Sequence, residues 1–198
     1  LHDALPILSF DYKNHEIVSM PMPSSGGILL AQMLKMSNYE HLEKYENNSP
    51  ETVQIMVEAE RRAYADRAEY MGDPDFVEDK TSMLISDEYL KNRWKNFNFG
   101  KATPSAEVGK ILDQPKESEQ TTHISIIDKF GNAVSVTTTL NGLYGSKVVV
   151  KGGGYFLNNE MDDFSVKPGV PNLYGAIGGE ANSIQPNKRM LSSMTPTI

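Results

Sequence analysis

The sequence predicts an α+β fold in which helices pack against antiparallel strands. Helical spacing of apolar residues dominates positions 9–100, whereas β-rich segments with alternating character follow position 120. The strand–helix–strand alternation that builds a parallel sheet is not present in the sequence. At 198 residues the chain is long enough to bury a hydrophobic core.

The first predicted elements are a short strand and a helix, joined by a loop rich in proline and glycine. HEIVSM, residues 15–20, has the composition of a strand. The loop MPMPSSGG, residues 20–27, then offers Ser24 or Ser25 as the cap of a helix that runs through ILLAQMLKM.

A second, longer helix is marked at both ends. Ser49 suits its cap and Pro50 its first position, because the leading N–H groups of a helix have no intrahelical partner. Gly72 ends the run. Helical spacing predicts one packed face, which includes two charged residues. Its members are Val53, Met56, Val57, Glu60, Ala63, Tyr64 and Arg67.

A third helix is predicted to open at Ser86, where Ile85 can pack against Leu90 across the first turn. It carries Trp94, the only tryptophan of the chain. Residues 100–120 are rich in proline, serine, glycine and charge, and this composition predicts an exposed, mobile connection.

A β-hairpin is predicted immediately after this connection. The segments THISII and AVSVTTTL flank DKFGN, whose Gly131 and Asn132 suit a tight turn. Threonines at the start of a strand usually reflect β-propensity alone. A functional role for Thr121 or Thr122 therefore needs support from other residues.

Composition narrows the possible partners. The net charge is −7, and no segment supplies the clustered Lys and Arg that a nucleic-acid surface needs, so small molecules are the expected partners. Because the sequence has no cysteine, disulfides, thiolate nucleophiles and cysteine-based zinc sites are excluded. The longest apolar runs are too short to span a bilayer.

Several enzyme classes lack their motifs in this sequence. G-x-S-x-G, H-E-x-x-H and G-x-x-x-x-G-K-[ST] do not occur, and none of the four histidines has a context typical of a Ser-His-Asp triad. Small polar side chains are instead concentrated after position 120, where carboxylates beside hydroxyls would also suit calcium. This polar group comprises Thr121, Thr137, Thr138, Thr139, Asn141, Asn158, Asn159, Glu160, Asp162, Asp163, Ser192 and Ser193.

Four segments, in order and at matching spacing, resemble the start of the small subunit in the γ-glutamyltransferase (γ-glutamyl transpeptidase) family. They are TTHISIIDKFGNAVSVTTTLN, LNNEMDDFS, PGVPNLYGAIGGEAN and PNKRMLSSMTPTI. Upstream, VSMPMPSSGGILLAQMLKM and RRAYADRAEYMGDPDF are similar to the end of the large subunit. The resemblance leaves residues 1–8 unmatched. It implies that residues 9–120 end the large subunit and that residues 121–198 begin the small, catalytic one, within one structural domain.

The resemblance implies the fold of an N-terminal-nucleophile hydrolase, a four-layer αββα sandwich of which this chain holds part. Family members cut themselves before a threonine, here between Gln120 and Thr121. The nitrogen of Thr121 is an amide within the chain, but after cleavage it is an α-amine with a pKa of about 7.7 to 8.0. Thr121 would then carry both nucleophile and general base, and the hydroxyl of Thr139 would support it.

The implied substrates are glutathione and other γ-glutamyl compounds, which carry an α-ammonium and an α-carboxylate. By resemblance, Asn141, Glu160 and Asp163 bind the ammonium. Ser192 and Ser193 bind the carboxylate. The acyl group would pass to water or to an amino acid or peptide, without a metal or organic cofactor.

The resemblance carries three further expectations. Residues 168–179 resemble a lid over the site, with Tyr174 as its gate. The family's carboxylate-binding arginine and Gly-Gly oxyanion hole fall outside the 198 residues, which are therefore expected to be nearly inactive alone. The parent protein is expected outside the cytoplasm, in the periplasm or secreted.

Two alternatives to the γ-glutamyl activity remain at this stage. One is a β-lactam acylase of the same family, which would use the same nucleophile on a glutaryl or related side chain. The other is a non-catalytic relative that has kept the fold.

Overall fold

The structure is a computed structural model that describes residues 7–109, 121–172, 175 and 177–198. Over these residues it combines helices with antiparallel strands, which confirms the predicted α+β class.

Two short strands open the described chain. β1 (Leu8–Tyr12) pairs antiparallel with β2 (His15–Ser19), which confirms the strand predicted over residues 15–20. Leu8 and Phe10 are both buried, because alternate residues of a strand share one face.

The described residues form five α-helices, with the bounds α1 (Gly26–Tyr39), α2 (Pro50–Tyr70), α3 (Thr81–Leu84), α4 (Asp87–Trp94) and α5 (Ser105–Val108). α1 packs against both α2 and α4. Met36, Ile55 and Leu90 are buried between these three helices. A second hydrophobic cluster joins α1 to β1 and to the C-terminal segment, and it includes Ile28 and Leu191.

The helix caps confirm two of the predicted starts. The Oγ of Ser49 accepts the N–H of Thr52 at 3.2 Å, and the Oγ of Ser86 accepts the N–H of Tyr89 at 3.3 Å. Ser25 directly precedes α1, but its hydroxyl makes no cap bond. The hydroxyl of Ser25 instead forms hydrogen bonds with residues distant in sequence.

The predicted packed face of α2 is wrong over its first half. Val53, Met56 and Val57 are 48%, 55% and 42% exposed, and Glu60 is also exposed. The buried face is rotated, and charged residues make up much of it because they bond to one another or to polar groups of neighbouring elements. It comprises Thr52, Ile55, Glu58, Ala59, Arg62, Ala63, Ala65, Asp66 and Arg67.

The connection predicted over residues 100–120 is described as far as residue 109. α5 lies in this part, and Thr103 and Val108 are buried, so this end of the connection packs against the body of the chain. The mobility predicted for the remainder falls on residues 110–120, outside the described residues.

The predicted hairpin is confirmed. β3 (Thr122–Ile127) pairs antiparallel with β4 (Ala133–Thr138), and Thr122 lies opposite Thr138. Gly131 has a φ of +85° in the turn, a conformation that glycine adopts without strain. The described strands form two separate two-stranded sheets, so only part of a four-layer sandwich is present in the described chain.

The C-terminal segment returns to the beginning of the chain. The backbones of Val18 and Ile198 exchange two hydrogen bonds of 2.8 and 2.9 Å, and the N–H of Ser192 donates to the carbonyl of Pro23 at 2.8 Å. These bonds join residues on the two sides of the predicted cut.

An ion pair makes a further connection between the two sides. The carboxylate of Asp73 is buried and accepts the backbone N–H of Arg189 at 2.7 Å and its Nε at 3.1 Å. These bonds lower the pKa of Asp73 to about 2, and the bonds from the Arg189 guanidinium make the largest contribution. The same guanidinium also reaches the exposed Asp75 at 2.8 Å.

None of the described helices is both long and apolar enough to cross a membrane.

Candidate active site

The hairpin brings the two predicted catalytic threonines together. Thr121 directly precedes β3 and Thr139 directly follows β4, so the antiparallel register places them side by side. The hydroxyl of Thr121 donates to the Oγ of Thr139 at 3.3 Å. Thr121 is exposed, as a residue that attacks a substrate must be.

The loop after Thr139 is fixed by hydrogen bonds to a neighbouring turn. The Oγ of Thr139 accepts the N–H of Asn141 at 2.9 Å. Asn141 is buried at a φ of +70°, a left-handed conformation that asparagine tolerates better than most residues. Its Nδ2 donates to the carbonyl of Asn159 at 3.2 Å, while the Oδ1 of Asn159 accepts the N–H of Gly142 at 2.7 Å. Asn159 therefore holds the loop on which Asn141 sits.

The predicted acidic residues lie in that neighbouring turn, the 3₁₀ helix Glu160–Asp163. Burial, followed by the negative charge of Glu160, raises the pKa of Asp163 to about 6. The positive charge of Arg67 and a hydrogen bond from the Asn141 side chain act in the opposite direction. Burial also raises the pKa of Glu160. Carboxylates crowded in this way gain stability from a bound cation such as an ammonium group.

The two predicted serines lie on the C-terminal segment beside the loop before α1. The carbonyl of Ser192 accepts both the backbone N–H and the Oγ–H of Ser25, each at 2.9 Å. The Oγ of Ser192 accepts the N–H of Met194 at 3.1 Å. The Oγ of Ser193 accepts a hydrogen bond of 3.2 Å from the Nη2 of Arg67.

Arg67 links the acidic turn to the serines, a role that the sequence did not reveal. Its Nε donates to the Oγ of Ser25 at 3.0 Å, in addition to the Ser193 contact. The residue is only 8% exposed, and this burial lowers the pKa of its guanidinium. The one available signal was an arginine at helical spacing with alanine and tyrosine, which is ambiguous without knowledge of its distant partners.

A cavity of about 170 Å³ lies beside Arg67 and Asp163. Val170, Pro171 and Gly178 from the lid-like segment also line it. The segment that resembles a lid thus borders Asp163, one of the proposed binding residues. The predicted gate Tyr174 and the cleavage residue Gln120 lie outside the described residues.

In the part of the chain that the structure describes, no group of three or more His, Asp and Glu side chains is placed to hold a metal ion.

The whole described chain resembles solved structures in fold. A cephalosporin acylase from Bacillus halodurans matches with a TM-score of 0.69 at 22% identity, over 98% of this chain and 32% of the acylase chain. At that identity the likeness concerns the fold alone.

Sequence comparisons define the family. The model of the gamma-glutamyltranspeptidase family matches residues 4–198, and the chain belongs to this family. The glutathione hydrolase proenzyme of Escherichia coli (strain K12) is 51% identical over 193 residues, covering 96% of this chain and 33% of the relative. The glutathione hydrolase proenzyme of Pseudomonas aeruginosa is 48% identical over 190 residues, covering 95% of this chain and 33% of the relative. The chain thus spans about a third of the length of these curated relatives.

An acylase relative is less similar. The Acylase ACY 1 proenzyme of Pseudomonas sp. (strain SE83) is 35% identical over 190 residues, covering 94% of this chain and 31% of the relative. The chain is therefore more similar to these two glutathione hydrolase proenzymes than to this acylase.

Proposed function

We propose that the protein containing this chain transfers and hydrolyses γ-glutamyl groups, with Thr121 as its nucleophile. The observation that carries the proposal is the hydrogen bond between the hydroxyls of Thr121 and Thr139. Thr139 is in turn hydrogen-bonded to Asn141, whose side chain is hydrogen-bonded to Asp163 in the acidic turn. Similarity to glutathione hydrolase proenzymes over nearly the whole chain supports the same conclusion.

Cleavage between Gln120 and Thr121 would create the base that the reaction needs. The freed α-amine of Thr121 accepts the proton of its own hydroxyl as the oxygen attacks the γ-carbonyl of the substrate. The Thr139 hydroxyl holds the attacking oxygen in place. The leaving amine then takes the proton, and a γ-glutamyl ester on Thr121 remains.

The ester is resolved by a second attack. Water releases glutamate, whereas the amine of an amino acid or peptide acceptor gives a new γ-glutamyl product. In either case the α-amine of Thr121 removes a proton from the attacking group, and the threonine oxygen recovers its proton as it leaves.

The two ends of the substrate suit the two sides of the site. Asn141, Glu160 and Asp163 offer acceptors to the α-ammonium, and the crowded negative charge of the carboxylates favours a cation. Ser192 and Ser193 offer hydroxyl donors to the α-carboxylate. Hydrogen bonds to charged groups are each worth about 1.5 to 3 kcal/mol, so substrates that lack either charge should react poorly.

The proposal extends to the assembly and location of the protein. The contacts of Val18, Pro23 and Asp73 with the C-terminal segment support an enzyme whose large and small subunits stay together after the cut. A location outside the cytoplasm and a lid gated by Tyr174 rest on family resemblance. Cell fractionation tests the location, and substrate KM in a Tyr174→Ala variant tests the gate.

The decisive experiment compares the wild-type full-length protein with its Thr121→Ala variant. The variant should stay a single chain by mass spectrometry and should not release p-nitroaniline from γ-glutamyl-p-nitroanilide. Thr122→Ala is the matched control, because this neighbour lies within β3 and should tolerate the change. Cleavage of the Thr121→Ala chain at the same bond would refute the proposal.

A second assay separates the acylase alternative. Glutaryl-p-nitroanilide lacks the α-ammonium that the acidic turn would bind. A γ-glutamyltransferase should prefer the γ-glutamyl compound strongly, whereas preference for the glutaryl compound would favour an acylase. Inactivity on both, in a protein that has not cut itself, would favour a non-catalytic relative.

A further inference from the structure

Arg67 is the buried arginine that contacts the proposed carboxylate side of the site. It lies in the last turn of α2, before the predicted cut, whereas Ser193 lies after it. Its Nε donates to the Oγ of Ser25 and its Nη2 to the Oγ of Ser193, at 3.0 and 3.2 Å. Ser193 is exposed, so packing does not fix its side-chain rotamer. The hydrogen bond from Arg67 does.

The same guanidinium acts on the ammonium side. Asp163 experiences the negative charges of Glu160 and Asp162, the positive charge of Arg67 and a hydrogen bond from the Asn141 side chain. Arg67 in turn experiences Tyr64 and Asp163. Arg67 is the cation among the groups that act on Asp163, and it favours the ionised carboxylate.

A structural role alone does not explain why the charged guanidinium of Arg67 is buried. Burying a guanidinium is costly unless its charge is compensated, and the hydrogen bonds of Arg67 go to two neutral hydroxyls. Arg67 and Asp163 both line the 170 Å³ cavity. Its positive charge therefore acts on Asp163, a residue that lines the same cavity.

We propose that Arg67 is a positioning residue that couples the two ends of the γ-glutamyl site: it orients the Ser193 hydroxyl for the substrate carboxylate and keeps Asp163 ionised for the substrate ammonium. This inference rests on the proposed function.

Lysine cannot replace arginine in both tasks. The planar guanidinium presents several donors in a fixed fork, which allows Ser25 and Ser193 to be bound at once. An ammonium is a single point charge on a flexible stem. Arg67→Lys should therefore keep much of the effect on Asp163 but lose the fixed orientation of Ser193, whereas Arg67→Met should lose both.

The test uses the full-length, self-cleaved protein and γ-glutamyl-p-nitroanilide between pH 5 and 9. Arg67→Met should raise KM at pH 7 roughly tenfold or more, as expected for loss of one charge-assisted contact. The pH below which KM rises should move upward by about half a unit or more, because Asp163 then binds its proton more tightly. Arg67→Lys should raise KM with little change in that pH.

Arg62→Lys is the matched control. Arg62 lies on the same helix, is only 1% exposed, and donates to the Asn96 Oδ1 at 2.7 Å and the Arg93 carbonyl at 2.9 Å. Its replacement should lower the thermal midpoint and leave KM and its pH dependence unchanged. An Arg67 variant that behaves in the same way would show a structural role alone and overturn the proposal.

A double-variant comparison tests the path through Ser193. If Arg67 acts on the carboxylate through this hydroxyl, Arg67→Lys combined with Ser193→Ala should raise KM little more than Ser193→Ala alone. If the effects of the two substitutions on KM multiply in the double variant, the proposed coupling is contradicted. Failure of both Arg67 variants to accumulate as folded protein, when Arg62→Lys does accumulate, would make Arg67 a folding residue and would also overturn the proposal.

The wild-type protein separates this inference from the proposed function. A wild type that does not hydrolyse γ-glutamyl-p-nitroanilide removes the proposed function itself. An active wild type with unaltered KM and pH dependence in Arg67→Met removes only the role of Arg67.

Discussion

The hydroxyl oxygens of Thr121 and Thr139 lie 3.3 Å apart at the open end of the β3–β4 hairpin. Eighteen positions separate the two residues in sequence, and strand pairing alone closes that gap. Because the Oγ of Thr139 also accepts the N–H of Asn141, the proposed nucleophile and the loop proposed to bind substrate share one anchoring atom.

The first prediction concerns this shared atom. Thr139→Val keeps the shape of the side chain but removes the acceptor for both Thr121 and Asn141. We expect kcat for γ-glutamyl-p-nitroanilide to fall about tenfold to a hundredfold, the equivalent of one lost hydrogen bond to a reacting group. Thr138→Val is the control, because this exposed neighbour points to the other face of the hairpin. Equal effects of the two variants would contradict the role of Thr139.

The second prediction concerns pH. In the wild type, KM should rise as the pH falls through about 6, because protonated Asp163 no longer attracts the substrate ammonium. The charge of Glu160 helps to raise the pKa of Asp163, so Glu160→Gln should move this rise to lower pH. Arg67→Met should move it in the opposite direction.

Asp162→Asn provides the comparison for this experiment. Asp162 also raises the pKa of Asp163, but less than Glu160 does, so the shift to lower pH should be smaller. Measurement of KM between pH 4.5 and 8 in steps of about half a unit would resolve shifts on the order of one pKa unit. An identical pH dependence in all variants would exclude Asp163 as the titrating group.

The third prediction concerns stability. The pKa of Asp73 is lowered from 3.8 to about 2 in the folded chain, so the ionised carboxylate stabilises the fold above pH 4. This contribution is lost as the pH falls from 4 towards 2. Asp73→Asn should lower the free energy of unfolding by roughly 1 to 3 kcal/mol at pH 7, and its deficit relative to the wild type should shrink at acid pH.

Urea unfolding at several pH values checks this prediction, with Asp75→Asn as the control. Asp75 contacts the same guanidinium at 2.8 Å but is exposed, and exposed ion pairs contribute at most about 1 kcal/mol. A deficit in Asp73→Asn that does not vary with pH would argue against an ionised, stabilising Asp73.

The fourth prediction concerns Asn159. Its Oδ1 accepts the N–H of Gly142 and its carbonyl accepts the Nδ2 of Asn141. Asn159→Ala removes the acceptor of the Gly142 N–H but keeps the backbone carbonyl, so it should loosen the loop and lower kcat/KM about tenfold, with more of the loss in KM than in kcat because the loop carries Asn141. Asn159→Asp retains the acceptor oxygen and should recover part of the loss. No recovery would indicate that the amide acts in another way.

The features that were predictable from the sequence are those determined by nearby residues. Ser49 and Ser86 cap their helices because the groups they bond lie three positions away. Gly131 marks its turn, because few other residues adopt a positive φ without strain. Neighbouring residues thus determine the hairpin that joins Thr121 to Thr139.

The features that could not be predicted depend on distant partners. The buried face of α2 includes Glu58 and Arg62, which pair with each other, and hydrophobic spacing cannot identify a buried face that is partly charged. Arg67 and Ser193 are 126 positions apart, so no local pattern connects them. Asn159 was one of several polar residues in the cluster, and its contacts with the loop set it apart from the others.

The return of the C-terminal segment to the loop before α1 has a consequence for the order of folding and cleavage. The contact of Ser24 with Met194 spans 170 positions. Within one chain, closing so long a loop costs only about 0.6 kcal/mol more than closing one of half the length. If the chain were severed first, the same contacts would require two separate molecules to meet, at a cost that depends on concentration. The proposed cleavage before Thr121 is therefore expected to follow folding, so that the proposed nucleophile would become available only in chains that are already assembled.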